Sequence, residues 1–322
     1  MTLLHGHDEA IAAFRVGLDS GRLHHAWLIS GPQGIGKALF ARKAALRVLA
    51  QGAGAVARPG LDVPDDHPAA KLMAAGSHPD FMALERLPKD NGTELARSIT
   101  VAQVRGLSRL FSTTSSLSPW RAVLIDSVDD LEPAGANALL KSLEEPPPHS
   151  LFLLVSHAPE RLLPTIRSRC RLLRLNRLGR SDMEKALATA IPDATPREIA
   201  ALAEASDGAP GRALAYRGLD VDKIDAAMQA MAKTGDPTNE KRAELAQSLA
   251  LKAAQPRYEA FLARAPSFIA VEARKRRGPA LAEALTLWEQ ASQLSAIAVR
   301  QSLDAQATAF EMGGLIAGLA KA

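Results

Sequence analysis

Gly31-Pro32-Gln33-Gly34-Ile35-Gly36-Lys37-Ala38 is the stretch whose reading decides the fold. The run Ala26-Trp27-Leu28-Ile29 before it reads as a buried strand. After it, Leu39, Phe40, Ala44, Leu46, Val48 and Leu49 recur at helical spacing. A glycine-rich turn between a strand and a helix suits a polyphosphate. Gly31, Gly34 and Gly36 let backbone N–H groups curl round the anion, the helix N-terminus adds positive potential, and Lys37 reaches the terminal phosphates. The last position departs from that chemistry. A working loop carries Ser or Thr there to ligate Mg²⁺, and Ala38 has no hydroxyl.

At 322 residues the chain exceeds one ordinary core, and two or three domains are expected. Hydrophobic residues make up 47% and aromatics only 4%, the signature of an Ala/Leu-rich, helix-heavy protein. A formal charge of +4 permits nucleic-acid contact without demanding it. No apolar run approaches the ~20 residues that span a bilayer, and the first residues lack a signal-peptide pattern, so a cytoplasmic location is expected with no membrane partner. One cysteine, Cys170, excludes an internal disulfide framework and a cysteine-cluster zinc site.

Outward from the loop, residues 5–23 form an amphipathic helix. His24-His25 lead into the first strand, and adjacent histidines do not converge on one ion, so they read as structural. Gln51–Gly76 is a Gly/Pro/Ala-rich insertion with a short helix near Ala69–Ala75. His78-Pro79-Asp80 reads as a turn into the strand Phe81–Leu84. A polar loop, Pro88 to Arg97, precedes a helix through Val101, Val104, Leu107, Leu110 and Phe111. The strand Ala122–Ile125 ends in Asp126, where an acidic residue beside a phosphate loop holds Mg²⁺. Ser127 stands where a water-polarising Glu is usual in an active ATPase. Helix Pro133–Glu144, stopped by Pro146-Pro147-Pro148, precedes strands Leu151–Val155 and Arg171–Leu175. Strands that are nearly all apolar and alternate with helices predict a parallel sheet covered on both faces.

Beyond Asn176 the pattern is helical. Ser181 with Glu184, and Thr195 with Glu198 behind Pro196, read as capping boxes, and a third helix starts at Pro210-Gly211-Arg212. The expected organisation is α/β plus all-α. It comprises a parallel-sheet core over 1–176, a three-helix lid and bridge over 177–236, and a C-terminal helical domain over 237–322. In that last part a helix over Ala280–Leu303 carries Leu281, Leu285, Trp288, Leu294 and Ile297. The cluster Arg274-Lys275-Arg276-Arg277 lacks interleaved aromatics for base stacking and reads as a solvated helix end.

Several blocks together resemble the clamp-loader branch of the AAA+ ATPases over about residues 5–217. They are His24-His25-Ala26-Trp27, the run Asn137-Ala138-Leu139-Leu140-Lys141-Ser142-Leu143-Glu144-Glu145-Pro146-Pro147, and His157-Ala158-Pro159-Glu160-Arg161-Leu162-Leu163-Pro164-Thr165-Ile166-Arg167-Ser168-Arg169-Cys170, with Gly208-Ala209-Pro210-Gly211-Arg212 in the lid. The resemblance implies a subunit of a five-membered ring, assembled with motor subunits and a delta subunit, that helps place a sliding clamp on primed DNA. The C-terminal helices would form the collar of that ring. In this family the arginine of Ser-Arg-Cys enters the ATP site of the adjacent subunit, a role that falls on Arg169. A guanidinium so placed is worth ~10³–10⁵ in rate in other phosphoryl-transfer enzymes. Arg167 reads as a surface arginine, and Arg212 occupies the position of a nucleotide-sensing lid arginine.

Two departures bear on activity. Ala38 and Ser127 remove the Mg²⁺ hydroxyl and the water-orienting carboxylate, which points to a subunit that hydrolyses no ATP and needs no cofactor of its own. Gly31, Gly34, Gly36, Lys37, Asp126 and Arg212 then mark a degenerate nucleotide site, weak or empty. Many relatives hold zinc on four cysteines in the insertion after the loop; Gln51–Gly76 has none, so no metal is expected. The contrasting reading is an active ATPase motor subunit, against which both departures count.

Overall fold

Continuous apolar runs, with no polar alternation, require protein on both sides, and the central strands of the sheet meet it. The edge strand Arg171–Arg174 leaves Leu172 51% exposed, so the expected cover on both faces does not extend to that edge. The computed structural model describes residues 4–89, 95–112, 114–298 and 301–321. The chain divides into two compact units, Met1–Arg212 and Ala213–Ala322.

The first unit begins with α1 (Asp8–Asp19), β1 (Ala26–Ser30), α2 (Lys37–Ala53), α3 (Pro68–Ala74), β2 (Phe81–Glu85), α4 (Val101–Arg105), α5 (Leu107–Ser112) and β3 (Arg121–Asp126). Next come α6 (Pro133–Glu144), β4 (Ser150–Ser156), α7 (Pro164–Arg167) and β5 (Arg171–Arg174). Then α8 (Arg180–Ala190), α9 (Pro196–Ala205) and the start of α10 (Pro210–Tyr216) follow. The strands run in parallel in the order β2-β3-β4-β1-β5.

Side chains alternate between two cores. Trp27, Ile29, Leu124, Leu151, Leu153 and Val155 join Phe14 of α1 and Phe40 of α2 on one face. Leu28, Val123, Ile125, Phe152 and Leu154 join Leu139, Leu143 and Ile166 on the other. Every residue of β1 and β4 is buried. The Phe14 ring lies 5.1 Å from Trp27 and 6.4 Å from Phe40, so these three aromatics tie both helices to the sheet. His24 and His25 stack at 4.5 Å, and His25 Nε2 lies 3.2 Å from the Leu143 carbonyl, a structural use for the pair. Asp80 accepts from the N–H groups of Ser116 (2.9 Å) and Leu117 (3.0 Å), and the His78 ring accepts from the Asp80 N–H, which is the turn expected there.

Two local expectations change. The helix from Val101 to Phe111 is divided at Gly106, where the Arg109 N–H turns tightly back to the Gly106 carbonyl; glycine is a weak helix former and yields there. Helix α8 is capped by Gly179, without a side-chain cap, so Ser181 and Glu184 form no capping box. Instead Glu184 accepts from Arg180 at 2.9 Å, one turn back. Thr195 does cap α9, accepting from the Glu198 N–H. Residues 90–94 of the expected polar loop lie outside the described residues.

The insertion after α2 is held from within the core. Arg47, 3% exposed, donates to the carbonyls of Arg58 (2.7 Å), Asp62 (2.9 Å) and Val56 (3.3 Å). Lys43 pairs with the Asp62 carboxylate at 2.9 Å. Two cations on buried turns of α2 thus replace the secondary structure the segment lacks.

The second unit contains α11 (Val221–Thr234), α12 (Glu240–Leu249), α13 (Gln255–Ala273), α14 (Gly278–Ala298) and α15 (Ala305–Gly318). Met228, Met231, Phe261, Leu262, Ile269, Met312 and Ile316 form its core. Pro266 lies inside α13 without ending it. Asp236, 2% exposed, accepts from the N–H groups of Lys241 and Arg242, each at 3.1 Å, and so satisfies the first turn of α12. Helix α14 begins two residues earlier than its sequence suggests and is followed as far as Ala298; residues 299 and 300 lie outside the described residues. Leu285, Trp288 and Ile297 are exposed at 47%, 42% and 42%.

Arg47→Met removes three charged hydrogen bonds to buried carbonyls and lowers stability by about 2–3 kcal/mol. Urea midpoints check the cost, and limited proteolysis checks that cleavage within residues 54–67 becomes faster.

Candidate functional site

Because the strands are parallel, the C-terminal ends of β1, β3 and β4 open onto one edge of the sheet, and the expected phosphate-site residues gather there. The loop leaving β1 turns into α2 at Gly36, its N-cap, with positive φ at Gly31, Gly34 and Gly36. Close approach demands glycine at two of these. A Cβ on Gly31 would lie 2.4 Å from the Leu175 carbonyl oxygen, and one on Gly34 (φ +78°) would lie 2.8 Å from the Arg212 nitrogen.

The second contact matters most. The Gly211 N–H donates to the Gly34 carbonyl at 2.8 Å, at the first turn of α10. Gly211 itself has Gly34 backbone atoms 3.0–3.4 Å from its own Cβ direction. Two glycines thus bring the lid segment and the loop into direct main-chain contact. Arg212 is placed beside the loop by its backbone.

Lys37 is turned inward. Its Nζ donates to the loop's own carbonyls, Gly31 at 2.7 Å and Pro32 at 2.9 Å, and the residue is 4% exposed. Burial pulls its pKa down to about 8 against the opposing charges of Asp129 and Asp126. A lysine that cradles phosphate has its ammonium free to reach an anion; here two carbonyl oxygens occupy it. Asp126 ends β3 as expected, and burial pushes its carboxyl above the ordinary range, which His157 partly offsets.

Asp129, three residues on, was not among the residues singled out. It accepts from the Ser127 hydroxyl (2.7 Å), the Ser156 hydroxyl (2.9 Å), the His157 N–H (2.7 Å) and the Ala158 N–H (3.2 Å). Burial alone would raise its pKa, but these four donors hold it below the ordinary carboxylate value. Ser127, standing where a water-polarising carboxylate is usual, therefore spends its hydroxyl on fastening the end of β3 to the end of β4. No local pattern marks Asp129, because three of its four partners, Ser156, His157 and Ala158, lie 27, 28 and 29 residues later.

Ala38 offers no hydroxyl, Lys37 and Asp129 are already satisfied, and Gly34 is covered by the chain at Gly211. Among the described residues no group of three or more His, Cys, Asp or Glu is placed to hold a metal.

Arg169 lies elsewhere. Arg171, which opens β5, pairs in register with Trp27 near the start of β1. Arg169 therefore sits at the N-terminal edge of the sheet, opposite the loop. Five residues of β1 separate the two edges by roughly 15 Å at ~3.3 Å per residue. Its Nη1 donates to the Thr165 carbonyl at 2.8 Å, and its Nη2 pairs with Glu144 at 2.7 Å. The sheet brings Gly31, Gly34, Gly36, Lys37, Asp126 and Arg212 together and leaves Arg169 apart.

A parallel α/β core with a glycine loop and an acidic strand end on one edge is a phosphate-loop protein, here with the loop satisfied by its own chain. The chain belongs to the DNA polymerase III delta subunit family, whose model matches residues 6–179. It is 39% identical over 186 residues to the DNA polymerase III subunit delta' of Pseudomonas aeruginosa, covering 58% of this chain and 53% of that one. The Escherichia coli subunit delta' is 33% identical over 204 residues, 61% of this chain and 55% of that one. The Salmonella typhimurium subunit tau is 32% identical over 214 residues, 63% of this chain and 30% of that one. The chain thus spans about half the length of the delta' relatives it matches. No described helix is long and apolar enough to cross a membrane.

The Lys37 ammonium has its pKa near 8 when folded and 10.5 ordinarily. Between those values the unfolded chain binds more protons, so this group adds stability as pH rises through the window. Urea unfolding of wild type and Lys37→Met between pH 8 and 10 is expected to move in the wild type's favour as pH increases. A difference independent of pH would show that the lysine keeps its ordinary pKa.

Proposed function

We propose that this chain is a non-hydrolysing clamp-loader subunit of the DNA polymerase III type. It lends Arg169 to the ATP site of a neighbouring motor subunit and so takes part in loading a sliding clamp on primed DNA during replication in the cytoplasm. The observation that carries this reading is the separation of the two sites. The arginine stands on the sheet edge opposite a loop whose lysine is bound to its own carbonyls, so it is far from its own chain's loop and open to another's.

A fixed guanidinium suits that task. Phosphoryl transfer spreads negative charge over equatorial oxygens, and an arginine already in place stabilises it without reorganisation. In this reading the neighbours are motor subunits and a delta subunit in a heteropentamer. Residues 177–236 serve as lid and bridge, and residues 237–322 form the collar. The chain binds no nucleotide of its own: the contact of Gly211 with Gly34 keeps the lid against the loop, and the subunit acts as a rigid wall of the ring.

The test is ATP hydrolysis by the reconstituted assembly with clamp and primed DNA. Arg169→Ala is expected to slow single-turnover hydrolysis at the adjacent site by ~10³-fold or more. Lys37→Ala is expected to leave it unchanged, and the isolated chain to show neither ATP binding nor turnover. If the isolated chain hydrolyses ATP and Lys37→Ala abolishes it, the chain is a motor subunit and this reading falls.

A further inference from the structure

The block Leu139-Leu140-Lys141-Ser142-Leu143-Glu144-Glu145-Pro146-Pro147 and the triplet Ser168-Arg169-Cys170 are separate in sequence, yet the fold joins them at one ion pair. We propose that Glu144 is a positioning residue for Arg169. Its carboxylate holds the guanidinium aimed outward at the N-terminal edge of the sheet, so that the arginine meets a neighbour's phosphate already oriented. The proposal rests on the reading that Arg169 acts in trans.

Glu144 is the last residue of α6, and Pro146 prevents the helix from continuing. The residue before it, Leu143, is 1% exposed and packs in the same core as Ile166 of α7, also 1% exposed. Glu144 is anchored through its neighbour Leu143, and Arg169 through its neighbour Cys170, which packs partly buried against the same core. The two bonds fall on different nitrogens: Nη2 to Glu144 Oε1 at 2.7 Å, and Nη1 to the Thr165 carbonyl at 2.8 Å. A guanidinium carries five N–H donors, so two anchors still leave donors for a phosphate. Held at two of its nitrogens, the long side chain gives up rotamer freedom before any partner arrives.

The placement of the carboxylate argues in the same direction. A helix C-terminus carries partial negative charge, which disfavours a glutamate there; the Arg169 cation supplies the compensation. The pair is partly exposed, with side-chain exposures of 32% for Arg169 and 47% for Glu144. Its contribution to stability is therefore small, and what it supplies is orientation.

The test uses the reconstituted assembly, with kcat and KM for ATP measured for wild type, Glu144→Ala, Glu144→Gln, Arg169→Ala and the Glu144→Ala/Arg169→Ala pair. Glu144→Ala is expected to lower kcat about 2- to 5-fold, the range an exposed ion pair spans, with KM unchanged. Glu144→Gln, which keeps an acceptor oxygen, is expected to recover most of that loss. In the double variant the Glu144 effect vanishes, because the group it positions is gone. Turnover at or above wild type in Glu144→Ala would mean that the carboxylate restrains the arginine, and would overturn the proposal. So would an equal loss from Glu144→Ala in the presence and absence of Arg169, which would reveal a general defect in α6. If Arg169→Ala is itself without effect, the trans reading fails; if Arg169→Ala is damaging and Glu144→Ala neutral, the positioning role alone fails.

Discussion

A sheet buried on both faces leaves chemistry only its two ends. With all strands parallel, those ends differ in kind: one collects loops leading from strands into helices, the other collects returns from helices into strands. This chain places functional groups at each. The loop, Asp126 and Asp129 occupy the first, and Arg169 with Glu144 occupies the second. The separation follows from strand direction and length, so neither site can drift toward the other without rebuilding the core.

At the loop end, the ammonium that would face an anion has instead found partners in its own chain. Lys37 serves two carbonyls, the Gly34 carbonyl receives the Gly211 N–H, and Asp129 collects four donors. Buried polar groups left without partners are costly. A loop that gave up its ligand would therefore be expected either to unfold locally or to turn on itself. Here the loop keeps the strand–turn–helix scaffold, and the Lys37 ammonium meets main-chain oxygens of the loop itself.

Much of this was legible in the residues. Apolar runs identified the strands, the glycine spacing located the loop, and the proline stops set the end of α6 at Glu144. What escaped were interactions between distant segments. Asp129 depends on Ser156 and His157 across the sheet, and Arg47 reaches carbonyls in a segment of no regular pattern. The pairing of Glu144 with Arg169 likewise joins positions 25 residues apart. The capping box read at Ser181 failed for a local reason: Glu184 pairs with Arg180, and the helix cap lies two residues earlier, at Gly179. Patterns report periodicity and local chemistry; they do not report which of two neighbours a side chain will choose.

The insertion after α2 illustrates a different economy. Arg47 and Lys43 hold it through carbonyl oxygens and one carboxylate, groups that neither oxidise nor exchange a ligand. A segment fastened in this way has no thiol for peroxide and no metal–thiolate bond for a chelator to attack. Its order follows from the folding of α2 together with apolar anchors such as Leu61, which is buried in the core beside Phe14.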